Sequence, residues 1–451
     1  MAKKKQIELT IEEKLQNALV PKEEQPYKIP SNWCWTRWGN LSNNIQYGVN
    51  TPATTEGNAR LVRISDIQEN KIIWDKVPYC NIDDKLVEQY LIKENDILFA
   101  RTGGTVGKSV MAIDVISNAV FAGYLIRSNY SKKLNGKYLK YFMESELYWT
   151  QLKIGTTATA QPNCNGKTLG KMVFPLSPIK EQQRIVNRIE SLFTKLDRAK
   201  ELIENTLAQF EQNKMAILHK AFTGELTAKW RKENNIDLSS WEKIKLGKVL
   251  LPMQTKKPTG QFFRYIDIDA IDNKHQIVKA PKLILTEKAP SRASRGVETG
   301  NILFSMVRPY LKNIAQIDSD LSDCIASTGF YVCRCKPELN SRFLYYLFIF
   351  DKTIDYLMQF MKGDNSPSIR KDDLLNMKID LPTIEEQQEI VNILDNLLAK
   401  YNKIKNLEQQ LEKIELLKKA ILAKAFRGEL GTNNPDEESA ENLLKEILAE
   451  K

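Results

Sequence analysis

Apolar residues along this chain follow two rhythms. In the first, short apolar runs lie between Gly, Asn and Pro turns, at residues 61–67, 96–100, 110–113 and 121–127. Runs of this length bounded by turn residues predict strands. A helix is predicted next, over 137–152. The succession then returns, with strands predicted over 263–271, 301–305 and 330–334 and a helix over 342–361.

In the second rhythm, Ile185, Ile189, Leu192, Leu196, Ala199 and Ile203 are separated by gaps of 4, 3, 4, 3 and 4. Ile390, Leu394, Leu397, Tyr401 and Ile404 repeat the spacing. A seam this narrow predicts helices paired as a coiled coil, because a lone surface helix carries a broader stripe. Both seams fade, at Thr206 and Asn213 in one and at Glu408 in the other. Neither Gly nor Pro occurs between residues 181 and 221 or between 384 and 427. Each stretch predicts one rod, roughly 60 Å long at 1.5 Å per residue. Ser177-Pro178 and Thr383-Ile-Glu-Glu386 read as helix starts, the second as a capping box, and Gly224 and Gly428 as helix ends. Two rods whose like faces meet are expected to pair antiparallel about a two-fold, sending the globular parts to opposite ends.

Helices are also predicted near both ends of the sequence. Thr10-Ile-Glu-Glu13 opens one as a capping box, with Ile11, Leu15, Ala18 and Leu19 as its stripe. Asn434-Pro435 opens the other, with Ala440, Leu443, Leu444, Ile447 and Leu448 on one face. These stripes are read as local packing surfaces, with a partner subunit as the sharper alternative.

The chain repeats itself at an offset of about 205 residues. Ile97-Leu-Phe99 falls on Ile302-Leu-Phe304, and Asn135-Gly-Lys-Tyr-Leu-Lys-Tyr141 on Asn340-Ser-Arg-Phe-Leu-Tyr-Tyr346. Glu181-Gln-Gln183 falls on Glu386-Gln-Gln388. Residues 213–226 and 417–430 agree at 10 of 14 positions, so this is a tandem duplication. The predicted architecture is α+β: two mixed α/β domains joined by a long antiparallel two-helix coiled coil, with pseudo-two-fold symmetry. The boundaries are 1–175 (terminal helix and first domain), 176–228 (first rod), 229–381 (second domain), 382–430 (second rod) and 431–451 (helical tail).

The 451 residues are 42% apolar and 27% charged, which suits a soluble protein with several cores. Lys and Arg outnumber Asp and Glu by 66 to 56, and the net charge of +10 favours a polyanionic partner. With His219 and His275 as its only histidines, the chain is a poor candidate for a His-based triad or a multi-His metal site. The six cysteines form no Cys-x-x-Cys pair and read as reduced apolar residues, with Cys333 and Cys335 expected on opposite faces of a strand. Residues 1–5 are basic but are not followed by the apolar segment of a signal peptide. No run approaches the roughly 20 apolar residues that span a bilayer. A cytoplasmic location is expected.

Catalytic motifs are tested and refused. Thr102-Gly-Gly-Thr-Val-Gly-Lys-Ser109 misses the phosphate-loop frame by one residue, since Thr102 stands where Gly is needed. It also lies between two predicted strands, without the helix N-terminus that draws phosphate. Asp83-Asp84 and Asp372-Asp373 read as turn or cap residues. No catalytic residue and no metal ligand is assigned. The basic residues carry more. Arg60, Arg63, Arg101, Thr102, Lys108 and Arg127 in the first domain lie among Tyr47, Trp74, Tyr79 and Tyr124. Arg264, Lys274, Arg292, Arg295, Arg308, Lys312 and Arg370 in the second lie among Phe262, Tyr265 and Tyr310. Loop cations neutralise phosphates, and Arg can read base edges in the major groove. These residues are the DNA-binding candidates.

Several motifs together resemble the DNA-specificity subunit of type I restriction-modification enzymes. They are Ile97-Leu-Phe-Ala-Arg-Thr-Gly-Gly-Thr-Val-Gly-Lys108, Asn301-Ile-Leu-Phe-Ser-Met-Val-Arg-Pro-Tyr-Leu311, the paired Glu-Gln-Gln starts, and the Ala221-Phe-Thr-Gly-Glu-Leu226 and Ala425-Phe-Arg-Gly-Glu-Leu430 ends. The resemblance implies two target-recognition domains, each reading one half of a split double-stranded DNA site across a gap set by the rods. It implies two modification subunits bringing S-adenosylmethionine, and restriction subunits using ATP and magnesium. It implies no chemistry on this chain. Partner docking would fall on the helical regions, at Glu181, Gln182, Gln183, Phe222, Gly224, Glu225 and Leu226 and at Glu386, Gln387, Gln388, Phe426, Gly428, Glu429 and Leu430. The first domain has Arg101-Thr-Gly-Gly-Thr-Val-Gly where the second has Met306-Val-Arg-Pro-Tyr-Leu-Lys, so the half-sites are expected to differ. The rival readings are a separately encoded subunit of a related methyltransferase-nuclease system, a coiled-coil adaptor that binds no DNA, and an NTPase using residues 103–109.

Overall fold

The computed structural model describes residues 9–155, 163–399 and 402–451. Two compact units emerge: Met1–Glu201 with Gln410–Lys451, and Leu202–Gln409.

In the first unit, the buried strand Ile97–Ala100 lies between Leu125–Tyr130 and Ser109–Met111, antiparallel to both, and Ser42–Tyr47 completes the sheet. A smaller sheet pairs Ala59–Val62 in parallel with Ala119–Phe121. Two predicted strands prove too long. The run 61–67 leaves the sheet after Val62, where Arg63 and Asp66 close a tight turn. The run 121–127 is two strands divided by a turn at Gly123 and Tyr124, where a Cβ on Gly123 would lie 2.0 Å from Asn50 Oδ1. The predicted helix 137–152 is likewise two, Gly136–Phe142 and Glu146–Gly155, with the Ser145 hydroxyl accepting from the Tyr148 amide at the new start. Trp38, Phe142 and Phe174 pack ring against ring at the centre of the core.

The predicted first rod is one helix, Ile179–Phe222, whose residues up to Glu201 belong to the first unit. There it runs antiparallel to the end of the helix Asn402–Phe426. Lys418 reaches Asp197, and three residues in opposite directions along each helix Lys200 reaches Glu415 at 3.3 Å. Ile185 and Ile189 of the seam are buried against Leu422, Ala425 and Phe426. The terminal helices Ile11–Ala18 and Ala440–Ala449 lie on one another and on this core, so local packing accounts for both stripes apart from Ile11, which is exposed. Thr10 forms the predicted capping box, but the last helix starts at a Ser439 cap rather than at Asn434-Pro435.

The second unit repeats the plan. Ile302–Ser305 is central between Phe330–Cys335 and Ile314–Gln316, in the same strand order as the first unit. Phe262–Ile266 pairs in parallel with Ile325–Ser327. The predicted helix 342–361 breaks at Phe350 into Ser341–Ile349 and Asp351–Met358. Cys333 and Cys335 both lie against one core cluster, not on opposite faces, because residues two apart on a strand share a side. The second rod is described as Ile384–Ala399 and Asn402–Phe426. Tyr401, the Ile404 side chain and residues 1–5 lie outside the described residues. Leu218 and Ala221 of the first rod pack with Ile390 and Leu394 of the second. Gly224 and Gly428 hold the left-handed conformation expected of helix-ending glycines, at φ of 81° and 74°.

Candidate nucleic-acid interface

Each domain is locked to the start of its own rod by the same set of hydrogen bonds. In the first unit, Gln182 Oε1 accepts from the Asn135 amide at 3.0 Å, and Gln183 accepts from the Asn135 side chain at 2.8 Å. Gln387 and Gln388 repeat this with Asn340, at 2.8 and 2.9 Å. Asn135 and Asn340 each cap a helix with the carboxamide oxygen, so one residue fixes helix, domain and rod together. Lys137 pairs with Glu190, and Arg342 pairs with Asp395 at the matching positions.

The two glutamates at the rod starts are completely buried. Glu181 accepts from the Trp33 indole at 2.7 Å and from the Asn433 amide at 2.9 Å. Glu386 accepts from the Trp241 indole at 2.9 Å, from Thr227 at 2.6 Å and from Arg231. In each unit the start of one rod is thereby tied to the chain that follows the other rod's end. The Glu386 backbone amide donates to the Thr383 hydroxyl at 3.4 Å, as a capping box requires, but its carboxylate turns inward to Trp241 instead of back to Thr383.

This placement revises part of the docking set. Glu181, Gln182, Glu386 and Gln387 are interior side chains, as is Phe426, which packs on Tyr138 and Phe142. Phe222 packs on Phe343 and Phe350, and Gly224 is buried. Leu226, Gly428 and Leu430 are half-buried. Gln183, Glu225, Gln388 and Glu429 are exposed.

The DNA candidates also divide. Arg127 is buried, pairing with Asp96 at 2.8 Å and bonding Gln46, so its charge serves the core and not a phosphate. Lys108 donates to the Ile67 carbonyl at 2.7 Å, which ties the Thr102–Lys108 hairpin to the sheet without any helix, so the phosphate-loop geometry is absent. Arg63 forks onto Asp66, and that hydrogen bond holds the guanidinium above its ordinary pKa. Arg264 pairs with Asp323, Lys274 with Glu408 and Lys312 with Asp351. Arg308 donates to the Asn365 carbonyl.

Of the remaining cations, Arg60, Arg101 and Arg295 are half-buried, and Arg292 and Arg370 are exposed. Arg101 lies over the exposed Tyr47 ring at 4.9 Å, beside the half-buried Thr102, and its Nε has no hydrogen-bond partner among the described residues. Arg60 lies over Tyr79 at 4.4 Å. Tyr124, 65% exposed, follows the Gly123 turn on the same side of the sheet as Arg101, whose amide bonds the Tyr124 carbonyl. In the second unit Arg292 and Arg370 are exposed, and Arg295 Nε is buried without a partner. Phe262 and Tyr310 are exposed there, whereas Tyr265 is core. Sequence reasoning missed Trp33, Trp241 and Arg231. The two tryptophans stand 208 positions apart, each just before the strand that pairs with the end of its domain, and that recurrence was the available signal.

The molecule is thus a duplicated protein, one mixed α/β domain used twice and set each time on a long helix by the same buried clamp. The family model described as type I restriction modification DNA specificity domain matches residues 54–209 and 241–416. The chain therefore belongs to that family and carries its domain twice. It is 29% identical over 188 residues to the EcoKI specificity subunit of Escherichia coli, a match spanning 40% of each chain. It is 28% identical over 356 residues to the EcoBI specificity subunit of the same species, covering 70% of this chain and 72% of that one. A chain from a structure reported for complex assembly and conformational transition of the type I restriction-modification system aligns with a TM-score of 0.66. That alignment covers 90% of this chain and 100% of that one at 21% identity, a likeness of fold.

Proposed function

We propose that this chain is the specificity subunit of a type I restriction-modification complex and carries no catalysis of its own. Each domain reads one half of an asymmetric, bipartite site in double-stranded DNA. The paired helices set the gap and dock two modification subunits, which bring S-adenosylmethionine. Restriction subunits bring ATP and magnesium, and the complex works in the cytoplasm.

The observation that carries this reading is the duplicated clamp beneath unlike loops. The Asn-Gln-Gln lock fixes each domain to its rod identically, while the loops above it differ. Arg101 and Tyr47 occupy one domain, and Arg308 and Tyr310 the other. A common frame with divergent outward groups is what two different half-sites require.

The test is co-expression with the modification subunit in a methylation-free host, followed by modified-base sequencing. The expected result is a two-part motif with a fixed gap, methylated on both strands. No methylation from an assembled complex that binds S-adenosylmethionine would overturn the reading in favour of an adaptor. A palindromic motif would overturn the asymmetric part of it.

A further inference from the structure

The two units differ sharply at one matched place, the groove between a rod's end and the ribbon beneath its domain. In the first unit the groove is filled by the chain itself. Tyr27 lies there, donating its hydroxyl to the carbonyl of Phe426 at 3.1 Å, under the guanidinium of Arg427 and edge-on to Trp35. Val20 and Ile29, on either side of Tyr27, pack with Trp35, Val173 and Leu147. The opening that remains beside Tyr27 is about 210 Å³.

In the second unit the same groove stands open at about 670 Å³. Its floor is Phe222, the counterpart of Phe426, stacked on Phe350 at 5.3 Å, with Trp241 and Met377. The strand registers Trp35 to Pro175 and Lys243 to Asp380 match, so Trp35 corresponds to Lys243 and Val173 to Lys378. Counting from the Asn135 and Asn340 caps, Leu147 corresponds to Lys352. Three apolar contacts of the Tyr27 segment are thus three lysines here. All three are exposed, without an ion pair among the described residues. Asp380 is the single acid among the lining residues.

We propose that this groove in the second unit is a docking site for a partner protein's segment that carries an aromatic residue flanked by acidic ones. The first unit supplies the template: a tyrosine seats between the rod's terminal Phe and the ribbon, its hydroxyl on the helix's last carbonyl. The second unit keeps the aromatic floor and exchanges the apolar rim for cations. An aromatic side chain takes the floor, and Asp or Glu beside it meet Lys243, Lys352 and Lys378. Because the site lies within one unit and requires no DNA, it stands independently of the DNA-reading role.

The test uses the full chain and fluorescein-labelled octapeptides with one central Tyr and four Glu, read by fluorescence anisotropy without DNA. Binding is expected to weaken at least tenfold when the peptide Tyr becomes Ala. It is expected to weaken at least tenfold again when Lys243, Lys352 and Lys378 are all changed to Glu in a chain whose circular dichroism is unchanged. An uncharged Tyr peptide is expected to bind more weakly than the acidic one. Equal binding of the Tyr and Ala peptides would reduce the rim to a diffuse cationic patch and overturn the proposal. So would no binding of the acidic Tyr peptide at millimolar concentration. If the triple change instead removes only binding of a short DNA duplex, the lysines belong to a DNA face and the proposal fails.

Discussion

The indole N–H of Trp33 lies 2.7 Å from a carboxylate oxygen of Glu181, and the pair is sealed from solvent. Trp241 and Glu386 repeat it at 2.9 Å in the other half of the chain. The two pairs are alike in geometry but not in surroundings, for Trp241 is half-buried at the edge of an open groove. Glu386 also neutralises the buried Arg231, whereas among the described residues Glu181 receives only neutral donors.

That difference predicts unequal effects. Glu386→Ala strands a buried guanidinium and should destabilise its unit by about 3–5 kcal/mol. Glu181→Ala strands neutral donors and should cost about 1–3 kcal/mol. Urea unfolding of the two variants checks the order, and a larger loss at Glu181 would contradict it.

Arg127 and Arg292 should separate stability from DNA affinity. Arg127→Ala breaks a buried ion pair and is expected to lower the thermal midpoint of the first unit without altering the salt dependence of duplex binding. Arg292→Ala leaves folding unchanged. If Arg292 meets a phosphate, the variant flattens the slope of log K against log salt by about 0.9. Titrations across a salt series distinguish the two.

The tail beyond the second rod should loosen in acid. Hydrogen bonding to Arg184 holds the Glu437 carboxyl below its ordinary value of 4.5. A carboxyl depressed by folding adds stability that is present above the ordinary value and lost as pH falls through the lower folded value. The thermal-midpoint difference between wild type and Glu437→Gln should therefore be constant near neutrality and shrink below pH 4.5. A difference that grew in acid would reverse the sign and refute the pairing.

The rods make a length prediction. Inserting seven residues into the helix Ile179–Phe222 and seven at the matching turn of its partner adds about 10 Å at 1.5 Å per residue. The gap in the methylated motif should lengthen by about three base pairs while both half-sites stay the same. An unchanged gap would remove the spacer role.

Much of this fold was legible, because duplication prints the same signals twice. Ile185, Ile189, Ile390 and Leu394 of the 4-3 seam, Gly224, Gly428 and the central strands lie where spacing placed them. Local signals failed where tertiary contacts decide. Nothing in the run 137–152 announces the break at Ser145, since a Ser inside an apolar stretch is also tolerated in a helix. Arg127 and Arg101 look alike in sequence. One faces Asp96 across the sheet and the other faces Tyr47 at the rim, and only the register of Leu125–Tyr130 separates them. Glu181 resembles a surface helix residue until Trp33, 148 positions earlier, comes to rest against it. The matched grooves escaped notice because Tyr27 lies outside the repeated segments.

The interleaving of the units also sets an order of events on the ribosome. The second unit is a continuous stretch, Leu202–Gln409, and can close as soon as it emerges. The first cannot, since Leu422, Phe426, Leu444 and Ile447 belong to its core. At about 5–20 residues per second, the 208 intervening residues impose a wait of roughly 10–40 seconds. Throughout that interval the nascent first half exposes the apolar surface around Ile185 and Tyr138, so chaperone engagement should concentrate on the part of the protein that is made first and finished last.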